Sequence, residues 1–301
     1  MSTSLTRALI AEAIGTYLLV LFGTGVVAAS VITGAQAGLW QVAVVWGFGV
    51  TLAIYTTAAI SGAHLNPAIS LAFAIFRRSE FPFSRMFPYW GAQLLGAVGA
   101  GLTVLAVFSP FIERFEQMNG YVRGMPGSQH SAMIFGEYFP DANMIGVDDA
   151  ARALVSAPMA AAVEGIGTAI LALVIFSLAD KRNAALPDKG LAPFFIGFTV
   201  AVLISVFAPI SQAGWNPARD FGPRIVAFFA GWGSIAIPGP SGGFWAYIVG
   251  PLIGAPIGAA IHEFLLKPGL PREEQSDPSR NGAADALPEY ERATSAQDGK
   301  E

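Results

Sequence analysis

Two Asn-Pro-Ala triplets, Asn66-Pro67-Ala68 and Asn216-Pro217-Ala218, stand 150 residues apart in the chain, and each opens an apolar stretch too short to cross a membrane. Asn is a preferred helix N-cap because its side-chain oxygen accepts a free backbone N–H of the first turn. Pro suits the next position, where its missing N–H has no partner to lose. The apolar run that follows Asn66 reaches only to Phe76 before Arg77 and Arg78. At about 1.5 Å per residue such a helix stops roughly halfway through about 30 Å of hydrocarbon. A lone triplet is most often an ordinary capped helix. Two at matching places in two apolar halves make the pattern of half-helices that enter a membrane from opposite faces.

The rest of the chain agrees. It is 53% hydrophobic and 13% charged with a mean hydropathy of +0.54, the profile of an integral membrane protein. A formal charge of −4, dispersed over termini and loops, gives no footprint for nucleic acid. There is no cysteine, and the three histidines, His64, His130 and His262, are scattered, so neither a disulfide nor a metal site is expected. No paired-carboxylate or Ser/His/Asp constellation points to an enzyme, and no cofactor is expected. The polar start Met1 to Arg7 runs into apolar sequence without a cleavage pattern and reads as the head of a retained span.

Six spans are expected, at about 5–32, 39–60, 86–108, 153–178, 191–208 and 243–266, with the half-helices after Asn66 and Asn216 between them. The stretch 109–152 reads as a long external loop, and 267–301, poor in bulky apolar residues, as a disordered cytoplasmic tail. A weak internal repeat supports two halves, about 5–108 and 153–266: Ala11-Glu12-Ala13-Ile14-Gly15-Thr16 resembles Val163-Glu164-Gly165-Ile166-Gly167-Thr168. Three spans per half invert the second half relative to the first. Arg7, Arg77, Arg78, Arg85, Lys181, Arg182, Lys189 and Lys267 all fall on the side that holds both termini, which makes that side cytoplasmic.

On these residues the chain resembles the aquaporin/aquaglyceroporin (major intrinsic protein) family from about Leu5 to Leu266. The string from Asn216 through Arg219, Asp220, Phe221 and Gly222 to Pro223, with Pro251-Leu252, is similar to the glycerol-facilitator branch, and Asp220 serves as its signature. The resemblance implies an all-α membrane fold of six spans and two re-entrant half-helices in an inverted repeat, assembled as a homotetramer in the plasma (inner) membrane. It implies a selectivity filter at Trp46, Ile204, Ala213 and Arg219. Ile204 and Ala213 depart from the usual glycerol-facilitator pattern and look more like the plant nodulin-26-like channels; a strict water channel places a His where Ile204 stands.

The motifs also have a physical reading. Two half-helix N-termini, each equivalent to roughly half a positive charge, face one point in the pore and repel cations. The Asn66 and Asn216 amides offer N–H donors to a passing oxygen while their carbonyls are held by backbone N–H groups. The stretches Gly62-Ala63-His64-Leu65 and Gln212-Ala213-Gly214-Trp215 cannot be regular helix, so their carbonyls line the pore. Glu12 and Glu164, one per half, are expected to fix these stretches, and His64 to pack. The function expected is a passive channel for glycerol, similar polyols and water, with urea, ammonia and metalloid acids as further solutes. A water-selective channel is the nearest alternative, and a proton-coupled transporter that uses the two glutamates is the alternative of another class.

Overall fold

The computed structural model describes residues 4–271. Its long helices are α1 (Leu5–Thr33), α2 (Leu39–Ser61), α4 (Phe83–Asn119), α7 (Ala157–Ala179), α8 (Ala192–Ser211) and α10 (Ala246–Ile261), with α3 (Pro67–Phe76) and α9 (Pro217–Ala227) as the half-helices. Two short helices, α5 (Gln129–Ala132) and α6 (Asp149–Leu154), lie between α4 and α7. Six segments are long and apolar enough to span a bilayer; the last extends α10 at both ends through tighter and wider turns. No strand occurs among the described residues.

Local chemistry sets the ends. Ser4 caps α1 by accepting the Arg7 N–H, and Gly34, at φ 71°, ends it in the left-handed conformation that glycine adopts without steric cost. Asn66 caps α3 through the Ala68 N–H at 2.9 Å. Asn216 caps α9 through the N–H groups of Ala218 at 3.1 Å and Arg219 at 3.2 Å. Pro follows directly in both helices.

The two halves pack alike. Within each, the first and third spans are close partners, α1 with α4 and α7 with α10, while the second spans α2 and α8 meet across the halves. Glycine makes these approaches possible. A side chain at Gly96 would overlap the Ala13 carbonyl, one at Gly47 or Gly197 the other's carbonyl, and ones at Gly254 and Gly258 the carbonyls of Gly165 and Ala169. In hydrocarbon, where apolar burial gives no driving force between helices, such contact is the main source of association. Large apolar side chains such as Phe48, Leu52, Phe198 and Val206 point outward, as a lipid solvent requires.

Two expectations change. The third span does not end near Phe108: α4 continues to Asn119, a 37-residue helix about 55 Å long, well past the hydrocarbon. The stretch expected as one long loop carries part of α4, the short α5 and α6 and a buried apolar run, with Ala132, Met133, Ile134 and Phe135 packed on Trp232, Val104 and Ile112. A polar knot ties it down. Arg123 bonds both oxygens of Glu116, Ser131 Oγ donates to Glu116 at 2.7 Å, and Trp232 Nε1 donates to Ser131 at 3.0 Å. The tail begins as a tight turn, Lys267–Gly269, and its remainder past Pro271 lies outside the described residues.

The packing makes a direct test. Gly254→Val should destabilise the detergent-solubilised protein by at least about 1–3 kcal/mol, because the obstacle is backbone that cannot move aside. Gly91→Val, which meets nothing within 4 Å, should stay within about 0.5 kcal/mol of the parent. Thermal unfolding followed by monodisperse elution gives the comparison.

Candidate functional site

The site begins with two strained backbones. Gly62, Ala63 and Leu65 have φ of 86°, 50° and 50°, and their repeat mates Gln212, Ala213 and Trp215 have 58°, 70° and 49°. A non-glycine residue in this region costs about 1–3 kcal/mol and persists only where its surroundings hold it. The two buried glutamates supply the hold. Glu12 accepts from Ser61 Oγ at 2.7 Å, the His64 N–H at 2.9 Å, the Leu65 N–H at 2.7 Å and Gln93 Nε2 at 2.8 Å. Glu164 accepts from Ser211 Oγ at 2.7 Å, the Gly214 N–H at 3.0 Å and the Trp215 N–H at 2.6 Å. With backbone N–H groups bound to side chains on one side, the carbonyls are left to face the other.

At the centre the two loops are stitched together. Asn66 Nδ2 donates to the Trp215 carbonyl at 2.9 Å, and Asn216 Nδ2 donates to the Leu65 carbonyl at 2.8 Å. Each amide oxygen caps its own half-helix, as expected. One N–H of each Asn thus fastens the opposite loop, and one on each remains to be offered to a passing oxygen. Leu65 and Trp215, whose carbonyls take part, also pack alike, on Gly15 and Gly167, where a Cβ would overlap them.

Both asparagines border a cavity of about 170 Å3. One wall carries Gly62, Ala63, His64, Leu65, Ala213, Gly214 and Trp215; the other is apolar, with Leu19, Val50, Ile54, Leu171, Ile175, Ile196 and Val200. The cavity extends from Phe73 and Ala179 at one end to Trp46, Ile204, Ala213 and Arg219 at the other. The four residues implied as a filter are therefore brought together. Pro67, Ala68, Pro217 and Ala218 shape the half-helices without lining the cavity, and neither does Gln212. Its side chain instead accepts the Tyr138 N–H of the segment between α4 and α7. His64 packs as expected, 4.6 Å from the Phe73 ring and bonded to Ser70.

The Trp46 end of the cavity is built around Arg219. Its guanidinium carbon lies 4.3 Å from the centroid of the Trp46 ring, and Trp46 in turn covers Gly23, which has no room for a side chain. On its other side Arg219 is ion-paired with Glu137, both side chains 5% exposed. Glu137 is held by its own backbone. Asp220 Oδ1 accepts its N–H at 2.7 Å, and Arg224, paired with Asp220 at 2.7 Å, donates to its carbonyl. Asp220 thus has a physical role beyond that of a signature. Glu137 escaped notice because nothing in its spacing separates it from the other charges between α4 and α7; the apolar run from Ala132 to Phe135 just before it was the available sign of burial.

Among the described residues no group of three or more His, Asp or Glu is placed to hold a metal ion. At the inner end Arg77 pairs with Glu263 at 2.7 Å, Lys267 with the same Glu263 at 2.6 Å, and Asp180 with Arg182 and His262.

Comparison with known proteins agrees with this geometry. The family model of the major intrinsic protein matches residues 1–262. The propanediol uptake facilitator PduF of Citrobacter freundii is 40% identical over 273 residues, 90% of this chain and 96% of that protein. The glycerol uptake facilitator protein of Pseudomonas aeruginosa is 40% identical over 292 residues, 95% of each, and that of Escherichia coli K12 is 38% identical over 265 residues, 87% of this chain and 89% of its own. The X-ray structure of the aquaglyceroporin from Plasmodium falciparum superposes with a TM-score of 0.74 at 24% identity over 88% of this chain and 98% of that one, a likeness of fold. The six apolar helices, the two half-helices and the matched sequence together place the chain in the major intrinsic protein family.

Proposed function

We propose that this protein is a passive channel for small neutral polyols such as glycerol and propanediol, and for water. The observation that carries the reading is the two-faced cavity. The two loops, Asn66 and Asn216 with one amide N–H each to spare, and Arg219 supply its polar lining, and the aliphatic side chains of Leu19, Val50, Ile54, Leu171, Ile175, Ile196 and Val200 supply apolar lining. A polyol has hydroxyls along one edge and carbon along the other, so it exchanges water for matched partners on both. The names of the relatives from Citrobacter freundii and Pseudomonas aeruginosa point to the same solutes. Urea, ammonia and metalloid acids share the small neutral character.

Arg219 and Trp46 touch, so passage at the outer end runs beside them, through the space that the small Ala213 leaves next to Ile204. No imidazole stands there, which disfavours a water-selective filter. The coupled-transporter alternative is disfavoured by Glu12 and Glu164, whose oxygens are taken up by fixed donors. The basic residues Arg77, Lys181, Arg182 and Lys267 gather around one mouth, which supports a cytoplasmic location for that end and for both termini in the inner membrane. One pore per protomer of a homotetramer completes the reading, on the strength of family resemblance.

Two measurements test it. Proteoliposomes shrunk in hyperosmotic glycerol should reswell faster than bare lipid, and Ala213→Trp should slow that reswelling by about tenfold, some 1.4 kcal/mol on the barrier, while slowing water exit less than about threefold. Reswelling of the parent at the rate of bare lipid, with fast water exit, would move the protein to the water channels. For orientation, the cysteine-free background allows single replacements at the exposed Asn119 and at Ser276. An impermeant thiol reagent applied to whole cells should label position 119 only; labelling of 276 alone would reverse the membrane orientation.

A further inference from the structure

We infer that Glu137 neutralises the guanidinium at the outer constriction, so that Arg219 serves there as a fixed array of hydrogen-bond donors and not as a positive barrier. This inference rests on the channel reading. Four buried charged groups meet at that end: Arg219 and Arg224, Glu137 and Asp220, none more than 7% exposed. They form two pairs, Arg219 with Glu137 and Arg224 with Asp220, and the pairs are locked to each other through the Glu137 backbone. The local charge of the cluster is zero. Glu164, on the far side of Gly214, is occupied by Ser211 and two backbone N–H groups, and Tyr247 stands beside it.

The position of the carboxylate is not incidental. Glu137 holds one edge of the guanidinium against the external segment, and Trp46 takes its face. The donors that remain are fixed in direction, and no isolated cation is left in a low-dielectric passage to trap polar solutes or to swing across it. Cation exclusion then falls on the two half-helix N-termini that meet at Asn66 and Asn216. Glu137 is a positioning residue for the conducted solute and, through its charge, a determinant of ion selectivity.

Removal of Arg219 alone then does two things: it deletes the donors and leaves a buried carboxylate without its partner at the mouth, a group that attracts protons and cations. The two effects separate in four variants reconstituted at matched density, with proton influx read by an internal pH dye, glycerol flux by reswelling, and monodisperse elution before reconstitution as the check on folding. Arg219→Val should raise proton influx about tenfold over the parent, and the double variant Glu137→Gln with Arg219→Val should return it to within about threefold. Glu137→Gln alone should remain proton-tight and slow glycerol about tenfold, and Glu137→Asp, which keeps the charge, should recover a substantial part of that flux. A double variant as leaky as Arg219→Val, or an Arg219→Val channel as tight as the parent, would overturn the inference. A parent that leaves glycerol flux at the level of bare lipid would instead overturn the channel reading, while the proton measurements still decide the charge balance.

Discussion

Two side-chain amides hold the centre of this protein. Asn66 and Asn216 each cap their own half-helix with the amide oxygen and fasten the opposite loop with the amide nitrogen. The constraint they answer is severe. Helix N-termini carry unpaired N–H groups and partial positive charge, and two of them are brought face to face in an apolar medium, where unpaired polar backbone costs several kcal/mol per group. Reciprocal caps, two buried glutamates and the small-residue contacts of α1 with α4 and α7 with α10 all act to keep that meeting point in place.

The same arrangement keeps the backbone of the two loops along the cavity outside any helix, with the Leu65 and Trp215 carbonyls taken by the Asn amides. A helix would have used them internally. Because Glu12 and Glu164 take the N–H groups of His64, Leu65, Gly214 and Trp215, the loops with their positive-φ residues stay out of helical geometry. Strain in the backbone, carboxylates that hold it, and a loop-lined path are successive links of one chain of cause. The end of the cavity at Arg219 has a different origin, in a ring of contacts from Gly23 through Trp46 and Arg219 to Glu137.

Much of this is legible in the sequence. The Asn-Pro-Ala copies, the brevity of the half-helices and the paired glutamates are signals of local chemistry, repeated at near-constant offset, and repetition is what lifts each above chance. That Trp46, Ile204, Ala213 and Arg219 come together was implied by the family resemblance, and all four line the cavity. What escaped is what depends on long-range folding. Glu137 meets Arg219 only because the segment between α4 and α7 folds back over the mouth, and that return is driven by apolar burial of Ile134 and Phe135 with no periodicity to advertise it. The extension of α4 escaped for a related reason: Glu113, Arg114 and Glu116 read as the start of a loop, yet they are good helix formers, and Glu116 is buried by Arg123 and Ser131. The bonds from each Asn amide to the opposite loop are long-range for the same reason, because the partner carbonyl belongs to the other half.

The central claim is that solute moves passively past fixed donors and acceptors, with no carboxylate that takes up or releases a proton. Initial rates of glycerol entry into proteoliposomes, measured over a wide range of concentration with and without a pH gradient, test it most directly. The account predicts a rate linear in concentration and indifferent to the gradient. Saturation together with acceleration by an imposed pH difference would contradict it and return Glu12 and Glu164 to the role of coupling groups.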